Sequence, residues 1–143
     1  MTIATKPPVW FWIIAIVAIL WNLMGCAAYV MEMMMTPEQL AALPQEQQDL
    51  YAARPSWVTS AFAIAVFAGL VGSIALALRK SVAMPLFALS LIAVLVQNYW
   101  SFGVAKVHEV MGTNIVIFPL IVVVVAILLL WVARTAKAKG WTS

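Results

Sequence analysis

Charge is what this chain most lacks. Only 9% of its residues are Asp, Glu, Lys or Arg, where an ordinary soluble domain carries about 25%. So few charges cannot build a wetted surface, and the solvent around most of the chain must be lipid. Cysteine occurs once, as Cys26, and histidine once, as His108. A single thiol excludes an intramolecular disulfide. Together the two residues leave little for a nucleophile–base pair or a catalytic metal centre, so no enzymatic activity and no cofactor are expected. The six glycines nowhere form a phosphate-cradling loop. No Asp, Glu, Lys or Arg lies at mid-depth in an apolar run, which argues against a charge-lined ion path or a proton-coupled pump. The net charge of +3 is scattered over the ends of these runs, so nucleic acid is not an expected partner.

Apolar sequence is what the chain has instead, at 66% of residues and a mean hydropathy of +1.05. It falls in four blocks that predict helices over about 9–31, 57–78, 82–103 and 114–133. Each supplies the roughly 20 residues needed to cross a hydrocarbon core of about 30 Å. In lipid every backbone N–H and C=O must be satisfied within the segment, which helices achieve, and the short alternating strands of a barrel are absent. The expected fold is an all-α membrane protein, a four-transmembrane-helix bundle, with 1–143 as one domain. Leu23-Met24-Gly25-Cys26 is similar to a lipoprotein cleavage site, but the apolar run continues to Met31, so an uncleaved first helix is expected.

Charge placement orients the bundle. Lys6, Arg79, Lys80, Arg134, Lys137 and Lys139 share one side, whereas Arg54 and Lys106 share the other with Glu32, Glu38, Glu46, Asp49 and Glu109. The Lys/Arg-rich side is normally cytoplasmic, which predicts an N-in/C-in protein. Trp10, Trp12, Trp57, Trp100 and Trp131 sit at block ends, where indole rings anchor helices at the membrane interface.

The connections also carry information. Arg79-Lys80-Ser81 is so short that the second and third helices must be antiparallel neighbours. In the first outer loop, 36–56, Thr36-Pro37-Glu38-Gln39 has the spacing of a capping box, with Pro44 and Pro55 as later breaks. Leu40, Leu43, Leu50 and Tyr51 can share a face, which predicts a short amphipathic helical segment on the membrane surface or over the bundle mouth. A lid is one use for it; an ordered connection is the simpler one. Ala61, Ala65, Gly69, Ser73 and Ala77 form a row of small residues along the second helix, suited to close approach by another helix of this chain or of a partner. The fourth block has no polar side chain from Ile115 to Trp131 and is expected to face lipid or apolar partner helices.

Polar groups inside such blocks are costly, so those present are informative. Asn22 lies on the first, and Ser90, Gln97 and Ser101 recur at helical spacing on the third, beside Asn98. Amides and hydroxyls suit a neutral, hydroxyl-bearing ligand, with Trp21, Tyr99 and Trp100 as stacking surfaces. The alternative is that Asn22 and Gln97 pair across the bundle, for about 0.6–2 kcal/mol. A third cluster, Met31, Met33, Met34 and Met35 with His108 and Met111, has the soft ligands that suit Cu(I), although methionine is also ordinary apolar filling.

Lys6-Pro7-Pro8-Val9-Trp10-Phe11-Trp12, Trp21-Asn22-Leu23-Met24-Gly25 and Met35-Thr36-Pro37-Glu38 follow one another here, and then Arg54-Pro55-Ser56-Trp57-Val58-Thr59 and Ala61-Phe62-Ala63-Ile64-Ala65-Val66-Phe67. This series resembles a group of short proteobacterial membrane proteins commonly labelled sugar transporters. The resemblance covers most of the chain and implies an inner-membrane location and solute transport; it carries no binding residues with it. The expected function is a small transporter-like protein for a neutral solute, with sugars as the class the resemblance implies. The alternative is a non-catalytic accessory subunit. Expected partners are the lipid bilayer and either further copies of the chain, as a homo-oligomer, or a larger membrane complex.

Overall fold

The computed structural model describes residues 6–143, without the side chains of Val110, Met111 and Thr113. Among the described residues the regular structure is all helical, with no strand, and four segments are long and apolar enough to cross a membrane: Val9–Met33, Ser56–Ala77, Ala83–Val104 and Asn114–Ala138. The chain is thus a helical membrane protein. Helix α1 (Val9–Met33) is followed by two short helices, α2 (Pro37–Ala41) and α3 (Gln45–Ala53), and by α4 (Ser56–Ala77). Helix α5 (Ala83–Asn98) continues into a π turn, Tyr99–Val104; a short α6 (Val107–Met111) and a 3-10 turn (Thr113–Val116) lead into α7 (Ile117–Ala138).

Local chemistry sets these boundaries. Thr36 Oγ1 accepts the Gln39 N–H at 3.2 Å and Gln39 Oε1 accepts the Thr36 N–H at 3.0 Å, so two otherwise orphaned donors start α2. Helix α4 ends with Arg79 at φ 60°, the Lys80 N–H returning to Ala75 O at 2.8 Å and the Arg79 N–H to Leu76 O at 3.0 Å. Helix α7 ends the same way around Gly140 at φ 75°, with the Trp141 N–H on Ala136 O at 2.8 Å. The fourth helix therefore runs past 133 to Ala138. Arg134 and Lys137 do not stop it, because long basic side chains at a helix end carry their charge out to water; the left-handed Gly140 does.

Helix α4 packs closely against both α1 and α5, and α5 against α7. The small row accounts for α4's position: Ala61, Ala65, Gly69 and Ser73 are buried and Ala77 half-buried. A Cβ on Gly72 would lie 3.1 Å from Phe87 and 3.2 Å from Leu86, so α5 needs that glycine to approach as it does. The two halves of the bundle differ. At the end bearing Arg79 and Lys139, here the basic end, Phe11, Ala15, Ala18, Leu76, Phe87, Leu129, Val132, Ala133 and Trp141 form one packed core. Towards the opposite end, where α2 and α3 lie, the helices enclose space.

Candidate functional site

That space is a cavity of about 380 Å³ walled by Asn22 to Ala28 on α1, Phe62 to Gly69 on α4, Phe87 to Asn98 on α5 and Phe118 to Leu129 on α7, with Trp21 at its edge. Asn22, Ser90, Gln97 and Asn98 all line it. Asn22 is only 8% exposed and lies at the junction of α1 and α4. Its Nδ2 donates to Ala18 O at 2.8 Å and to Ser73 Oγ at 3.0 Å. Ser73 in turn donates to Gly69 O at 2.7 Å. Ser90 Oγ donates across the helix pair to Ala65 O at 2.6 Å, tying α5 to α4.

Asn22 and Ser90 are thus already engaged in holding helices together. Asn22 takes Ser73 as its partner across the bundle, not Gln97, because α4 and not α5 packs against α1. Among the described residues the side chains of Gln97 and Asn98 make no hydrogen bond, and both are half-buried on the cavity wall. The groups open to a ligand are therefore the Gln97 and Asn98 amides, the Oδ1 of Asn22 and, as an acceptor only, the Ser90 Oγ. No wall residue carries an ionisable side chain at neutral pH.

Trp100 and Ser101 do not join this cavity. They line a second space of about 180 Å³ with Glu32, Gln47, Leu50, Tyr51, Arg54 and Val107. The helix widens into its π turn directly after Asn98, so the regular spacing that groups Ser101 with Gln97 stops applying there. Trp100 is accordingly buried and is not a lipid-facing anchor, whereas Trp10, Trp12, Trp57 and Trp131 are exposed. Tyr99 is exposed too.

The second cavity joins α3 to the bundle. Arg54 and Glu32 form an ion pair at 3.0 Å, each side chain 16% exposed, and the guanidinium lies 5.2 Å from the centre of the Tyr51 ring. Burial pushes the Tyr51 phenol up from its ordinary pKa, and the Glu32 carboxylate adds to this by charge and hydrogen bond while Arg54 opposes it. This cluster is not singled out by sequence reasoning. Its signal is that Glu32 is the only acid within the four spans and Arg54 the only basic residue of the loop 36–56.

Of the candidate copper ligands, Met31, Met33 and Met34 are exposed and Met35 is half-buried at the end of α1. The His108 ring packs on Phe102 at 5.8 Å, and the Met111 side chain lies outside the described residues. Among the described residues no three His, Cys, Asp or Glu side chains gather as metal ligands. In comparison with known proteins, no family model matches the chain, and no curated protein or solved structure is detectably similar to it.

Proposed function

We propose that the chain is a small inner-membrane transporter-like protein that binds a neutral solute in the cavity between its helices, with both termini cytoplasmic. One observation carries this reading: a space of about 380 Å³ between the four long helices whose polar side chains are the amides of Asn22, Gln97 and Asn98, the Ser90 hydroxyl and the Trp21 indole, with no ionisable side chain in its wall. An ion in such a site would lack a counter-charge at great cost, whereas a neutral molecule needs only hydrogen-bond partners and shape. The reading is of a binding and transport protein rather than an enzyme. The site lies within one protomer, so a homo-oligomer would multiply it without being needed to form it.

Uptake in proteoliposomes tests this. Gln97→Leu removes a ligand-facing amide while keeping the wall apolar, and should abolish saturable uptake with little loss of stability. Asn22→Ala should reduce both uptake and stability, because it also breaks the bond to Ser73. Wild type and both variants all at background would remove the proposal, and foreign subunits co-purifying in fixed stoichiometry would replace it with an accessory role.

Orientation has its own test. One end carries six basic residues and no acid, the other two basic and five acidic ones. Taking Lys or Arg into the core costs about 2.5–3.5 kcal/mol each on insertion scales. In a Cys26→Ala background, Glu46→Cys and Asp49→Cys should react with a membrane-impermeant thiol reagent in intact cells. Lys80→Cys and Lys139→Cys should react only after lysis. Labelling of the latter pair in unlysed cells would reverse the topology.

A further inference from the structure

The seam between α1 and α7 sets the cavity apart from an aqueous vestibule. The wall residues on α4 and α5 are all buried or half-buried. Those on α1 and α7 include Met24, 68% exposed, and Phe118, 64% exposed, so the rim of the cavity lies on the lipid-facing surface. Close helix packing links α1 to α4, α4 to α5 and α5 to α7, and α1 shares a packed core with α7 only at the basic end. Beside the cavity the two helices meet through Trp21 and Phe118, whose rings are 6.2 Å apart and inclined at 38°. Two side chains can turn aside without breaking a backbone contact.

We propose that the cavity takes its solute sideways from the bilayer through this Trp21–Phe118 seam. The solute is a neutral amphipath, with a long apolar body and a small hydroxyl- or amide-bearing head. This narrows the neutral-solute reading and rests on it. The wall chemistry decides against a free sugar. Each hydroxyl buried without a partner costs about 1–3 kcal/mol, and a sugar would bring several into a largely apolar space where Gln97, Asn98, the Oδ1 of Asn22 and the acceptor lone pairs of Ser90 Oγ are the side-chain amide and hydroxyl groups left to receive them. An alkyl chain brings none. It moves from lipid to an apolar wall at little cost, and the Gln97 and Asn98 amides, which lipid cannot imitate, select the head.

The test is photo-crosslinking of the full chain in nanodiscs with a diazirine-bearing twelve-carbon alcohol, with the adducts mapped by mass spectrometry. Labelling should saturate, concentrate on Trp21, Met24, Phe118 and Val122, and be competed by dodecanol but not by glucose. Ala126→Phe and Val122→Phe fill the space from two positions on α7, and each should weaken labelling about tenfold or more; a variant whose helical content and thermal unfolding match wild type counts. Competition by glucose alone would overturn the amphipath and leave the neutral-solute reading standing. Unsaturable labelling spread over outward residues such as Ile13 and Val124, unchanged in both variants, would overturn lateral access. Saturable labelling together with background uptake of every solute would retain the site and remove transport.

Discussion

A Gly69→Val variant should lose about 2–4 kcal/mol of stability, by forced overpacking together with a lost interhelical hydrogen bond. Gly69 on α4 faces both α1 and α5 at close range. A Cβ there would run into Asn22 Oδ1 and lie 3.3 Å from Ser90 Oγ, with α1 on one side and α5 on the other. Valine adds branched bulk at that point, so the Asn22 amide must swing away and lose Ser73 or Ala18. Thermal unfolding in mild detergent, followed by near-ultraviolet circular dichroism, measures the loss. Gly103→Ala is the control, because a Cβ there meets only Tyr99 at an ordinary 3.5 Å. Asn22→Ala in the Gly69→Val background removes the obstructing amide, so the double variant should be more stable than the sum of the single losses predicts. Full stability in Gly69→Val, or strict additivity with Asn22→Ala, would show that the α1–α4 contact is not made through this pair.

The four spans are legible because lipid makes a simple demand: length, apolarity and internal hydrogen bonding, all of which composition reports directly. The cost of polar atoms in lipid likewise makes Asn22, Ser90, Gln97 and Asn98 conspicuous, and these four line one cavity. What they do there is less legible. Ser73 reads as one more small residue in the α4 row, yet it is the partner of Asn22. A serine satisfies both descriptions, and only the rotation of α4 against α1 decides between them. The π turn after Asn98 breaks the regular spacing without a residue that announces it, and it leaves Trp100 and Ser101 on the second cavity. The Glu32–Arg54 pair joins residues far apart in sequence across a loop, and charge counting places both on one side of the membrane without bringing them together. The seam between α1 and α7 is hidden for a further reason. Lipid-facing, partner-facing and cavity-facing apolar residues have the same composition, so Phe118 and Val122 look alike until the helices are assembled.

Trp141→Ala should cost about 3–5 kcal/mol, the range for removing a large buried aromatic side chain. Trp141 follows the end of α7, where the left-handed Gly140 turns the chain back across the basic end of the bundle. Its indole is only 7% exposed, lying edge-on to Trp10 at 5.3 Å and to Phe11 at 5.8 Å, with the Lys139 ammonium 5.4 Å from the ring centre. The same segment holds the turn between α4 and α5. Arg79 Nε donates to Trp141 O at 2.8 Å, and the Ser143 N–H donates to Arg79 O while the Ser81 N–H donates to Ser143 O, both at 3.0 Å. Arg79 itself sits at φ 60°, a conformation an arginine adopts at a cost of about 1–2 kcal/mol unless its surroundings fix it. Removing the indole therefore does more than open a hole beside Phe11. It frees residues 140–143 and withdraws the bonds that hold Arg79 in place. Trp141→Phe should recover part of the loss, since it keeps an aromatic edge against Phe11. Arg79→Ala combined with Trp141→Ala should cost less than the two separate losses together, because both break the same assembly. Limited proteolysis gives an independent readout: trypsin should cut after Lys137 and Lys139 much faster in Trp141→Ala than in wild type. Unchanged cleavage and unchanged unfolding in that variant would mean that the segment after α7 rests on the bundle without bracing it.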